Sequence, residues 1–143
     1  MRLVLFVLML SGNLALADDQ RAHVNYMLHC QGCHLPEGEG FDGKVPPMKN
    51  FVGYFLHSRE GREFLVRVPG VAHSALNDEE LTELLNWLVQ TFSAKQLPGD
   101  FTPYTEKEIA KLRDVPELDP EAARSIILAE IASELPRLAL QLK

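Results

Sequence analysis

Thiols are scarce in this chain. Two cysteines occur in 143 residues, both inside one five-residue stretch. No cysteine stands directly after Ala17, which argues against a lipid anchor at that point. The remaining histidines, His23, His29, His57 and His73, are scattered and supply no zinc-type cluster at regular spacing. Positive charge is in deficit as well: 14 Lys and Arg face 20 Asp and Glu, a net charge of −6. Such a balance argues against nucleic acid or anionic lipid and favours a protein partner with a basic docking patch. The uncharged run Leu3 to Leu10 is broken by Ser11-Gly12-Asn13. It is short for a membrane span, which takes about 20 residues. There are no repeats, no low-complexity tracts and no visible catalytic triad.

What is present is Cys30-Gln31-Gly32-Cys33-His34, a C-x-x-C-H stretch that uses both cysteines. This is the attachment pattern of a c-type haem. Two thiols one helical turn apart add across the two vinyl groups of one porphyrin, and the next residue, His34, is held against one face of the ring to ligate the iron. A structural disulfide or a C-x-x-C redox pair is the competing reading. A redox pair would open a helix after a buried strand, and no β-rich run precedes Cys30. The expected cofactor is therefore one covalent haem c, bound through Cys30 and Cys33, with His34 as the proximal iron ligand.

Arg2, the apolar run and the small-x-small sequence Ala15-Leu16-Ala17 form a secretory signal peptide pattern over residues 1–17. The alternative is an anchor that is never cleaved. Attachment of haem c outside the cytoplasm agrees with export, so the expected location is the periplasm, with no membrane span after cleavage. The leader carries Arg2 and no acid, so the mature chain is more acidic still. Residues 18–143 suffice for one haem domain and an extension, not for two ordinary domains.

Residues 18–30 read as a first helix, with Ala22, Tyr26 and Cys30 recurring at i+4. Tyr26 and Met27, one turn before Cys30, are placed to pack on the haem edge. Leu35 to Gly43 is an irregular, glycine-rich loop. Phe51, Tyr54 and Phe55 suit packing more than a regular element. Ser58 is a cap for a helix over Arg59 to Val68, with Phe64, Leu65 and Val68 inward and Pro69-Gly70 as its stop. Asn77 and Glu80 form a capping box, with Leu76 and Leu81 as a staple. Leu81, Leu84, Leu85, Leu88 and Phe92 then share one helical face, with Trp87 close by.

Cys30–His34, the Gly38-x-Gly40 loop and Val45-Pro46-Pro47-Met48 together resemble the first half of a class I c-type cytochrome. The resemblance implies an all-α, cytochrome c-like haem domain over residues 18–92, closed by the helix that ends near Phe92. It also implies that the carbonyl of Pro46, or of neighbouring Pro47, accepts from the Nδ1–H of His34. Such a bond selects the tautomer and makes Nε2 a better donor to iron. Met48 takes the place of the large apolar residue that packs on the haem.

Residues 93–143 are additional. Ser93 to Thr102 contains Pro98-Gly99-Asp100 and reads as a linker. Thr105 and Glu108 start a short helix, with Tyr104 and Ile109 as staple. Asp119-Pro120 starts a longer one whose apolar stripe is Ile127, Ile131, Leu135, Leu138 and Leu142; Pro136 kinks or ends it. Such a stripe packs on its own domain or docks a partner.

The sixth iron ligand stays open. The family supplies a methionine from the loop before the last helix, but here that loop, Val68 to Leu76, has none. His73 is its one good donor, and bis-histidine ligation would lower the potential. Met48 is the alternative, and a five-coordinate iron open to small ligands is the third. The expected protein is an exported carrier of single electrons between a dehydrogenase and a downstream carrier or oxidase, not an enzyme. Other outcomes are a ligand-binding or peroxidatic haem protein with an open iron site, or a haem subunit of a larger dehydrogenase complex.

Overall fold

A computed structural model describes residues 18–141; the expected signal peptide and Leu142 lie outside the described residues. Within them every regular element is helical, so the fold is all-α as expected, with one isolated bridge between Phe41 and Val45. Helix α1 covers 18–29, and a single turn, α2, covers Gln31–His34. A 3-10 helix, Val52–His57, leads into α3 (Arg59–Arg67) and α4 (Pro69–Ala72). Then come α5 (Asp78–Ser93), a 3-10 turn at Ala94–Gln96, α6 (Glu106–Arg113), α7 (Pro120–Glu134) and α8 (Pro136–Gln141).

Helix starts follow local chemistry. Ser58 Oγ accepts from Gly61 N at 2.9 Å, Thr105 Oγ1 from Glu108 N at 3.3 Å, and Asp119 Oδ1 from Ala122 N at 3.0 Å. Asn77 and Glu80 make both bonds of the capping box, satisfying two amides that the first turn of α5 would otherwise leave unpaired. Pro69 does more than end α3. It occupies the first position of α4, where its missing N–H costs nothing. Pro136 likewise ends α7 at Glu134 and opens α8.

Two apolar cores result. The first joins Tyr26 of α1, Met48, Val52, Leu56, Val66 and Leu76 to the Leu81, Leu84, Leu85, Leu88 and Phe92 stripe of α5. Tyr104 and Ile109 belong to the same core, and Leu97 and Phe101 pack on it, so the stretch after α5 runs along the domain. The second core sets Tyr54, Phe55 and Phe64 against Ile127, Leu128, Ile131 and Leu138. The stripe of α7 and α8 therefore packs on its own domain. Helix α3 lies between the cores: Phe64 faces one, Val66 the other, and Leu65 touches both. That is why Val66 is fully buried although the amphipathic pattern favours its neighbours.

Candidate haem attachment site

The C-x-x-C-H stretch begins where α1 ends. Cys30 N still donates to Tyr26 O, but Cys30 leaves helical geometry (φ −124°, ψ −37°) and becomes the residue before α2. Cys33 N and His34 N both donate to Cys30 O, at 3.1 and 3.0 Å, which folds the motif into one tight turn. Cys30 is half-buried beside the first core, Cys33 is exposed, and both are free thiols. Burial, with the neighbouring Cys33 as a smaller cause, pushes the Cys30 thiol up to about 11. Redox-active C-x-x-C pairs show the opposite shift, so the electrostatics here oppose that reading.

Tyr26 ties the turn down. Its hydroxyl donates to the carbonyl of Leu35, with His34 O at 3.4 Å, and burial pushes its pKa up to about 12, so it stays a donor. The tyrosine expected to pack on a haem edge thus also anchors the backbone that carries His34. Its ring packs with Trp87 and Phe92, at centroid distances of 5.7 and 5.0 Å, where α1 meets α5. Met27, one turn before Cys30, is exposed on α1.

The glycine-rich loop brings Pro46 to the motif. Gly40 N lies 3.4 Å from His34 O, and Gly38 O accepts from Met48 N and Lys49 N at 2.8 and 2.9 Å. His34 Nδ1 is buried without a hydrogen bond of full geometry, yet the carbonyl of Pro46, not Pro47, is close enough to raise its basicity. Burial outweighs that effect and lowers the imidazole's pKa, favouring the neutral form that ligates metals. Met48 is buried in the first core, two residues beyond Pro46. His73 is exposed at the end of α4, with its backbone N–H donating to Pro69 O at 3.1 Å. His23, His29 and His57 are exposed too.

These residues fit a haem c. Two free thiols and a histidine share one turn, and the orphaned buried polar atoms among the described side chains are His34 Nδ1, on that turn, and Asn25 Nδ2, on α1. Among the described residues no three His, Cys, Asp or Glu side chains converge as a separate metal site. A surface cleft of about 420 Å³ between the 3-10 helix, the start of α3 and α7 is lined by His57, Glu60, Glu130 and Glu134 and contains none of the motif.

An all-α domain with two free thiols and a half-buried imidazole on one turn fits a haem-binding class of protein, and comparison with known proteins agrees. No family model matches the chain. A cytochrome c-552 of Thermus thermophilus is 32% identical over 132 residues, spanning 79% of this chain and 87% of that protein. A second Thermus thermophilus cytochrome c-552 is 32% identical over 103 residues, spanning 59% and 78%. The chain belongs to the cytochrome c-552 family of c-type cytochromes. It is accordingly an electron-carrying haem protein and not an enzyme.

Proposed function

We propose that this chain is an exported carrier of single electrons with one haem c, bound through thioethers to Cys30 and Cys33 and ligated by His34. The observation that carries the reading is the single turn that brings both free thiols together with the buried Nδ1 of His34. When bound, haem supplies the one-electron chemistry. The chain's own residues bind it, orient it and tune it. Tyr26 and Gly38 hold the two segments on either side of His34, and the Pro46 carbonyl selects the tautomer that leaves Nε2 free for iron. For the sixth position the reading keeps His73 first and Met48 as alternative.

The chain's acidic charge supports a basic partner, with a dehydrogenase as donor and a downstream carrier or oxidase as acceptor. The leader over residues 1–17 supports export to the periplasm, and no described helix is long and apolar enough to cross a membrane. Residues 18–92 would form the haem-binding part and 93–143 an extension laid over it. The test is attachment. Haem should survive acid–acetone extraction, and the mature mass should equal residues 18–143 plus one haem. Cys30→Ser with Cys33→Ser should abolish covalent binding. Freely extracted haem from the unaltered protein would end this reading.

A further inference from the structure

We propose that Arg113, the last residue of α6, is a positioning residue for the iron's sixth coordination site, acting through the Ala72–Leu76 segment that carries His73. The proposal rests on the haem reading above and on one convergence of hydrogen bonds. Arg113 Nε donates to Ala72 O at 3.3 Å, and Nη2 donates to Ser74 O at 2.7 Å. Nη1 donates to Leu76 O and to Asp78 Oδ1, each at 2.9 Å. These acceptors bracket His73 on both sides, and the last ties the segment to the first residue of α5. The segment's own amides turn back on α4 and on itself: Ala72 N donates to Val68 O, His73 N to Pro69 O, Ser74 N to Val71 O and Leu76 N to Ser74 Oγ, so Arg113 supplies the side-chain tie from outside that turn.

The placement matters because of what the segment borders. Ala72 and Leu76 are buried while His73 and Ala75 are exposed, so the histidine sits on a strip pinned at both ends. Val71 and Leu76 pack on the same core that Cys30 and Met48 border. The Arg113 side chain is 15% exposed, and its planar fork serves four acceptors at once. A lysine ammonium is a point donor and cannot reproduce that geometry. Without the fork, several carbonyls lose their partner and the segment opens locally to water. Helix α6 has an independent anchor in Arg62, which pairs with Glu108 through Nε and Nη2 at 2.7 and 2.8 Å. Loosening that pair tests the extension without touching the His73 segment.

The experiment compares the purified holoprotein with Arg113→Ala, Arg113→Lys, Glu108→Gln and His73→Ala variants. The readouts are ferric spin state, carbon monoxide association to the ferrous form, and Tm. Arg113→Ala should keep its covalent haem, gain a high-spin fraction and bind carbon monoxide at least about tenfold faster. Arg113→Lys should fall between, and Glu108→Gln should lower Tm while leaving spectrum and rate as in the unaltered protein. Placed on His73→Ala, Arg113→Ala should add nothing further.

A loss of Tm in both Arg113 variants with unchanged spectrum and rate would reduce the clamp to a structural role and overturn the proposal. So would a further rate increase from Arg113→Ala on top of His73→Ala, or an unaltered protein that already binds carbon monoxide at the variant's rate. Should Arg113→Ala fail to fold, Arg113→Lys decides on the same criteria. Absence of covalent haem in the unaltered protein, seen by mass before any spectrum, would instead fail the haem reading.

Discussion

Gly40 lies directly against Pro46: a Cβ on Gly40 would stand 2.9 Å from the Pro46 carbonyl oxygen and 2.3 Å from that of Val45. The glycine therefore sets how close the Val45–Pro46 backbone comes to the turn carrying His34. Gly40 also has φ +73°, which costs a residue with a side chain roughly 1–2 kcal/mol. Gly40→Ala should lower unfolding free energy by at least about 2 kcal/mol and shift the midpoint potential, because the carbonyl facing His34 must move. Gly43, at φ +68° with open space around it, is the control. Its alanine variant should pay only the conformational cost and leave the potential alone. Equal effects from both variants would remove the close approach as the reason for Gly40.

The sixth ligand is decided by two substitutions. His73→Ala should convert a low-spin ferric spectrum to high-spin and open the ferrous iron to carbon monoxide, whereas Met48→Leu should preserve the spin state. Met48 is buried among apolar side chains, and a volume-conserving exchange there costs under about 1.5 kcal/mol. The opposite pattern, with a sulfur-to-iron charge-transfer band in the unaltered ferric protein, would assign the position to Met48.

The C-terminal helices should be integral to stability. Ile131 is 4% exposed and packs with Leu128 and Leu138 against Tyr54, Phe55 and Phe64. Ile131→Ala should cost about 3 kcal/mol in denaturant unfolding. Truncation after Leu118 should lower Tm further by exposing those rings. A truncated protein with unchanged Tm that loses electron-transfer rate would instead make the extension a docking element.

Stability should also depend on pH through Glu108. The hydrogen bond from Arg62 holds its carboxyl below the usual carboxylate range. A depressed folded pKa stabilises the protein above the ordinary glutamate value near about 4.3 and is lost as pH falls through the folded value. The stability gap between the unaltered protein and Glu108→Gln should therefore shrink as the pH falls from about 4.3 through the lower folded value. A gap that stays constant over that range would show that the pair contributes through packing alone.

Much of this was legible in residue order. The helix starts at Ser58, Asn77, Thr105 and Asp119 depend on bonds that span three residues, so local chemistry suffices to place them. The leucine stripe of α5 was readable for the same reason, since 3.6-residue periodicity puts Leu81, Leu84, Leu85, Leu88 and Phe92 on one face. The second role of Pro69 was harder to see, because one proline both ends α3 and starts α4.

The chain alone carried the pattern behind the proposed attachment: two thiols and an imidazole within five residues, and a Pro46-Pro47 pair that the family resemblance sets beside the imidazole. That information is local, or carried by fixed spacing. The tertiary structure decided what α7 covers, why Val66 is fully buried and where the stretch after α5 runs. It also decided that Arg113 would reach back 35 to 41 positions to grip the strip holding His73. No periodicity encodes such a contact, because it exists only after the packing of α3, α5 and α6 has brought the end of one helix against the start of another.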